Sequence, residues 1–495
     1  MTKCLSPATL LMTLALLALS RAAPAQSVLT YHNGNARLGD YVVPGLTASA
    51  AASMHIDSGF VASFTGNVHA QPLYWQTKAD PTGEVIVVTE SNTVLALNAS
   101  TGATVWQTQL APPAPLSAFP CGNINPEGIT GTPVIDGSTG TLYLNALSQS
   151  GNNSPLQLIY AVSLKDGSVL PNWPINVQAA LGDLGVGFSP LTQGQRSGAL
   201  VLDKQVYFVY GGKFGDCGTY HGTVVQIDPM TAKAVASWET SANGGGIWSQ
   251  GGISSDGKSL FTATGNTIGA QSWGGGEAIF RFKPGLVQSQ STRDYFVPTN
   301  WQSLDNADAD LGGTEALPLQ ISADGKDDAR ILALGKDGNA YLVNGNNLGG
   351  ISDPIEKTQV SHASIITGPA VYAGPQGSLV AFTNQSGLGN CSGTNLTMLS
   401  VAKKGKKSIT QAWCAAFSGA GAPIVTTIDG SSDPLVWVVG AGGDNLLHGY
   451  DALTGAVVFS GGGATMTGLN HFQTLIAANS HLYVAANGKV YGFAF

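Results

Sequence analysis

The stretch VLALNASTGATVW, residues 94–106, decides the fold. It reads as a short alternating strand, a polar turn built on Thr101-Gly102, and a second strand ending in Trp106. Alternation with a period of two buries one face of a strand, and glycine supplies the turn. The unit returns as LHGYDALTGAVVF at 447–459, with Phe459 in the Trp position. IYAVSLKDGSVLPNW at 159–173 and VVQIDPMTAKAVASW at 224–238 repeat it with two extra residues. Fainter copies begin near Ala278, Ala340 and Thr397, and VYGFAF from Val490 stops without a partner hairpin. Eight starts give a period somewhat under about 60 residues, room for the four short antiparallel strands of one propeller blade.

The repeat predicts an all-β chain: an eight-bladed β-propeller of four-stranded antiparallel blades. Because the last unit is truncated, N-terminal strands around Phe60 to Phe64 are expected to complete the last blade and close the ring. A solenoid would need polar capping repeats at both ends, and none is evident.

Composition agrees. Charged residues make up 11% of the 495, against about 25% in an average soluble domain. The 65 Gly suit turn-rich β structure, and nine Trp, 14 Tyr and 16 Phe require a large core. Net charge is −8, which argues against a nucleic-acid partner, since phosphate backbones select Lys and Arg.

Residues 1–25 read as a signal peptide: Lys3, an apolar run at 10–19, and the small-x-small site Ala23-Pro24-Ala25. The run is shorter than the roughly 20 residues of a membrane span, and no later segment qualifies. The expected product is one domain, 26–495, periplasmic or secreted, with cleavage near Ala25 and no transmembrane segment. It retains Cys121, Cys217, Cys391 and Cys414, an even number in an oxidising compartment, with three possible pairings. Cys391 and Cys414 are close enough in sequence to clip one local unit, which leaves Cys121–Cys217 as the other bond.

One segment does not serve the repeat. GGGIWSQGGISSDGKSLFTATGN, residues 244–266, places Trp248 after three glycines rather than at a hairpin end. Glycines admit a ligand close to the backbone, and an indole offers a flat stacking face. LDNADADLGG at 304–313 follows, with Asp305, Asp308 and Asp310 closely spaced, and then Gly335-Lys336-Asp337-Gly338. Taken alone, these are also what inter-strand loops, acidic turns and β-turn lysines look like.

The repeat resembles that of the pyrroloquinoline quinone (PQQ) propellers, the quinoprotein alcohol dehydrogenases. The succession GITGTP (128–133), GGGIW, TGN, the acidic turn, GKDG and NNLGG (346–350) also resembles that of secreted bacterial relatives of polyvinyl-alcohol dehydrogenase. The resemblance spans 60–495 and implies an eight-bladed ring with Trp docked between blades. It implies Trp248 as the floor under PQQ, Asn266 as a Ca²⁺ ligand, and Asp308 as the catalytic base, with Asp310 close behind and Asp308 also near the metal. Lys336 is implied as the residue that contacts the quinone oxygens and polarises the acceptor carbonyl. The segment 211–222, where the family carries a calcium-binding Glu, has none here, so Asp216 is the substitute. A further departure is the lack of the adjacent-cysteine pair that covers the quinone in many relatives.

Two functions follow. One is an exported PQQ- and calcium-dependent dehydrogenase that passes hydride from a small-molecule alcohol or polymer to the quinone. It would use a separate electron acceptor, since no CxxCH haem motif is present. The alternative is a non-catalytic propeller acting as a binding or assembly scaffold at the cell envelope, with an envelope protein as partner. His32, His69, His362, His448, His471 and His481, six of the eight histidines, are scattered without metal-ligand spacing, and Lys403 to Lys407 reads as a solvated hairpin tip.

Overall fold

The computed structural model describes residues 26–289, 291–320, 329–403 and 408–495. The leader assigned to 1–25 and most of the 403–407 turn lie outside them. The strands form eight small antiparallel sheets that succeed one another along the chain, an eight-bladed β-propeller. Blade 1 comprises Leu73–Trp75, Glu84–Val88, Thr93–Asn98 and Thr104–Gln109. Blades 2 to 7 follow at 134–176, 193–239, 253–298, 317–359, 370–415 and 424–460. Blade 8 has only three strands of its own: Leu475–Ala478, His481–Ala486 and Lys489–Ala494.

The expected closure is present. His55–Ile56 and Ala62–Ser63 both pair antiparallel with the final strand of blade 8. His481 Nε2 lies 3.0 Å from Asp57 Oδ2 in the segment between them. Two additions were not read from sequence: Gly350–Ser352 pairs parallel with Tyr295–Pro298, and Asp40–Val42 pairs parallel with Ile424–Thr427.

The repeat does its packing between blades. Trp106 Nε1 donates to Leu164 O of blade 2 at 3.1 Å, and Trp413 Nε1 to Ala452 O of blade 7 at 2.8 Å. Each indole lies against the turn glycine of the next blade. A Cβ at Gly167 would fall 2.5 Å from the Trp106 ring, and Gly167 has φ +74°. The glycine of the repeat therefore serves twice, once for the left-handed turn and once to make room for the neighbour's Trp.

The axis is filled at one end by residues 28–43. Leu29 O accepts from Ile135 N at 2.8 Å, Leu38 O from Val371 N at 2.7 Å, and Gly39 O from Val425 N at 2.8 Å. Arg37, fully buried, is the knot of this segment. Its Nε donates to Gly251 O and Ile253 O, its Nη2 to Gly198 O and Ala199 O, and its Nη1 to Thr30 Oγ1 and Tyr31 O, all within 2.6–3.2 Å. A guanidinium can be buried when every N–H finds an oxygen.

Both disulfides take the expected pairing. Cys121–Cys217 ties the loop after blade 1 to a loop of blade 3 (Cα–Cα 6.0 Å), and Cys391–Cys414 closes blade 6 on itself (5.7 Å).

Candidate functional site

In a four-stranded meander, the segment entering the first strand and the turn between the second and third strands share one end of the blade. Trp248 enters the first strand of blade 4, and Asp308 and Asp310 enter that of blade 5. Asn266 follows the second strand of blade 4, and Lys336 that of blade 5. Strand topology alone therefore brings all five to the same end of the ring.

Asp310 is the hub. Its side chain is 3% exposed. Oδ2 accepts from Trp248 Nε1 at 3.0 Å and lies 2.9 Å from Lys336 Nζ, while Oδ1 accepts from the backbone N–H of Asn266 at 2.9 Å. Its carbonyl accepts from Lys336 N at 2.8 Å. Gly265 makes this possible, because a Cβ there would stand 3.0 Å from both Asp310 Cγ and Trp248 Nε1. Asp308 sits two residues earlier as the left-handed cap (φ 51°) of the helix Trp301–Ala307, a conformation that Asp tolerates better than most residues. That kink turns its side chain outward, 67% exposed, with Oδ1 2.7 Å from Lys336 Nζ and the other oxygen free of hydrogen bonds. The Lys336 ammonium lies 5.3 Å from the Trp248 ring centre.

Burial pushes the Asp310 carboxyl up, against the pull of Lys336 and the Asn266 amide, and the Asp308 charge raises it further. Burial acts on Lys336 in the opposite sense, but Asp310 and Asp308 outweigh it and hold the ammonium above its ordinary value. Beneath them is a residue that sequence reading passed over. Glu277 is fully buried, and its Oε2 accepts from Leu311 N at 2.6 Å. Burial, then the Asp310 charge, push it up to about 9, so it is a neutral acid at pH 7. The one sequence signal for it is a lone carboxylate opening an apolar strand after three glycines.

Asp216 stands one layer away. Its Oδ1 accepts from Tyr220 OH at 2.7 Å, and the Tyr220 ring packs near Gly246, two residues before Trp248. Burial raises the Tyr220 hydroxyl first, Asp216 next, and Asp310 and Asp308 more distantly. The Asn266 side-chain amide makes no hydrogen bond and is free to take a ligand. Two further pairs occupy the same end. His69 Nδ1 lies 2.7 Å from buried Glu90, which also accepts from Gly128 N and the Thr130 hydroxyl of the GITGTP motif. Lys213 Nζ lies 2.8 Å from Glu127.

The group sets one ammonium between two carboxylates, beside an indole. An indole face is presented beside an ammonium, with one carboxylate open to solvent. Calcium takes six to eight oxygens. Asp308 and Asp310 are already paired with Lys336, Asp216 is engaged by Tyr220, and no group of three or more His, Cys, Asp or Glu side chains gathers among the described residues. These residues do not make a calcium cage.

No family model and no curated protein matches the sequence. Among solved structures, the chain is similar to a europium-containing methanol dehydrogenase, with TM-score 0.64 and 13% identity over 96% of this chain and 98% of that one. It is also similar to the quinohemoprotein alcohol dehydrogenase of Comamonas testosteroni (TM-score 0.64, 14% identity, 96% and 81% covered). A quinohemoprotein alcohol dehydrogenase from Pseudomonas putida HK5 follows (TM-score 0.59, 13% identity, 94% and 80% covered). At this identity the likeness is one of fold: the chain has the propeller of the quinoprotein dehydrogenases.

Proposed function

We propose that this chain is an exported PQQ-binding propeller that oxidises an alcohol. The observation that carries the reading is the single hydrogen-bonded group of Trp248, Asp310, Lys336 and Asp308. PQQ, when bound, supplies the two-electron acceptor for the hydride of the alcohol carbon. Trp248 is the stacking floor, its orientation fixed by Nε1 on Asp310. Lys336 holds positive charge 5.3 Å from the centre of that ring, where it would stabilise negative charge on a quinone oxygen. Asp308 takes the hydroxyl proton on its free oxygen, and its exposure gives a substrate access. A base so placed contributes about 10²–10⁴-fold. Asp310, bonded on both oxygens, is a positioning residue.

Calcium carries no step here. Asn266 offers an amide oxygen toward that end, but the carboxylates needed beside it are paired elsewhere. Export is supported by two disulfides, which persist in oxidising compartments. Among the described residues no helix is long and apolar enough to cross a membrane. Electrons would leave to a separate acceptor.

The test is reconstitution with PQQ, with and without Ca²⁺, followed by the quinone absorbance of the separated protein. Retention is expected. Trp248→Ala should lose PQQ, and Asp308→Asn should keep PQQ while losing dye-linked alcohol oxidation. A folded chain that retains no PQQ under either condition overturns the reading in favour of a non-catalytic propeller.

A further inference from the structure

Blades 1 and 2 part at the end of the ring away from Trp248. Trp75 closes the first strand of blade 1, Glu84 opens the second, and the two are direct antiparallel partners. Such partners share a face of the sheet. The next pair inward on that face, Leu73 and Ile86, lies in the apolar core between the two blades. At Trp75 and Glu84 the core gives way to a cleft of about 450 Å³, lined also by Asp80 and by Leu164 and Lys165 of blade 2. Small-ligand clefts run from about 300 to 1,000 Å³. A carboxylate is out of keeping with this register position. Glu84 stands opposite Asn98, and the matching places in blades 2 and 7 hold Thr141 and Leu435.

Glu84 Oε2 is buried and makes no hydrogen bond. The Trp106 N–H pulls the Glu84 carboxyl down, but it donates to Leu164 O at 3.1 Å. Burial first, and then the Asp80 charge, outweigh that pull and push Glu84 up to about 7. Asp80 Oδ1 accepts from Gly83 N at 3.2 Å. Among the described residues neither carboxylate belongs to an ion pair, and Lys165 stands exposed at the rim. The cleft therefore sets two neighbouring acids beside an indole with no cation between them. An anion would be repelled by both acids, and a neutral ligand would leave their mutual repulsion in place. Calcium takes six to eight oxygens, and no group of three or more His, Cys, Asp or Glu side chains gathers among the described residues. An organic ammonium answers each feature: charge for the two acids, an N–H for Glu84 Oε2, and a cation with a hydrocarbon stem for the indole face.

We propose that this cleft binds a small primary amine in its ammonium form, held by Glu84 and Asp80 with its carbon chain against Trp75. The site lies at the opposite end of the blades from Trp248 and does not depend on PQQ.

Isothermal titration of the chain with butylammonium chloride is the test, with sodium chloride at equal ionic strength and the neutral analogue butyramide as controls. Saturable binding of butylammonium alone is expected. It should tighten as pH rises through about 7, where Glu84 acquires its charge beside Asp80 and across the cleft from Lys165. Glu84→Gln, nearly isosteric, should weaken binding about tenfold or more and flatten that pH dependence. Failure of butylammonium to bind overturns the proposal, as does equal binding of butyramide or parental affinity in a folded Glu84→Gln protein. Binding seen only in Lys165→Met overturns it too, because the chain's own lysine would then be the occupant.

Discussion

Lys336 reaches Asp310 at 2.9 Å where the carboxylate is 3% exposed, and that one contact orders the whole candidate site. The ammonium and the Trp248 indole meet the same oxygen, so ring and charge are fixed relative to each other. The neighbouring contact to Asp308 is as short, 2.7 Å, yet lies in solvent.

The two contacts should therefore differ in energy. Asp310→Asn is expected to destabilise the fold by about 3–5 kcal/mol, the cost of breaking a buried pair. Asp308→Asn should cost under about 1 kcal/mol, as for an exposed pair. Double-mutant cycles with Lys336→Met, read by urea unfolding, would show the larger coupling for Asp310.

Activity should divide the opposite way in kind. Asp308→Asn is expected to lower kcat for alcohol oxidation by about 10²–10⁴-fold with PQQ still bound. Asp310→Asn should loosen PQQ as well, because it releases Trp248. Equal PQQ retention in the two variants would contradict this division.

Glu277 gives a pH signature. Burial, then the Asp310 charge, raise its carboxyl to about 9 in the folded chain, from an ordinary value of about 4.5. The folded state thus holds a proton that the unfolded state has released between those values. The stability this confers is complete below about 4.5 and is lost as pH rises through about 9. Glu277→Gln, neutral throughout, should show a Tm that gains on the parent between pH 5 and 9; a constant difference would refute the assignment.

Blade docking can be tested at Gly167. Gly167→Ala meets the Trp106 ring at 2.5 Å and a φ of +74°. It should destabilise by more than the roughly 1 kcal/mol of a turn glycine alone. Trp106→Ala should cost about 3–5 kcal/mol. In the double variant the losses should be less than additive, by differential scanning calorimetry.

The ring was legible because its grammar is local. In the clearest copies, 94–106, 159–173, 224–238 and 447–459, alternation, a polar turn and a terminal Trp or Phe lie close together in sequence, and so does the physics that uses them. Trp248, Asp308 and Lys336 stood out because each interrupts that grammar on a glycine-rich or acidic turn. What separates Asp308 from Asp310 is not local. A left-handed residue at 308 turns one carboxylate outward and leaves the other buried, and the sequence ADAD is the same either way. Arg37 was invisible for a similar reason. A single arginine in ARLGD reads as a solvated charge until the blades close around it.

Closure between residues 55–68 and the final blade also has an entropic consequence. The amide of Val68 is bonded to Asn487 Oδ1, 419 positions away. A contact at that separation rewards the chain only after a large entropic loss, whereas each hairpin of blades 1 to 7 forms between near neighbours. Ring closure therefore carries the largest chain-entropy cost of any step, and without it blades 1 and 7 would flank a gap with apolar faces uncovered. Loss of the final strand, with which both His55–Ile56 and Ala62–Ser63 pair, would accordingly leave sheet edges open, the arrangement that invites edge-to-edge association.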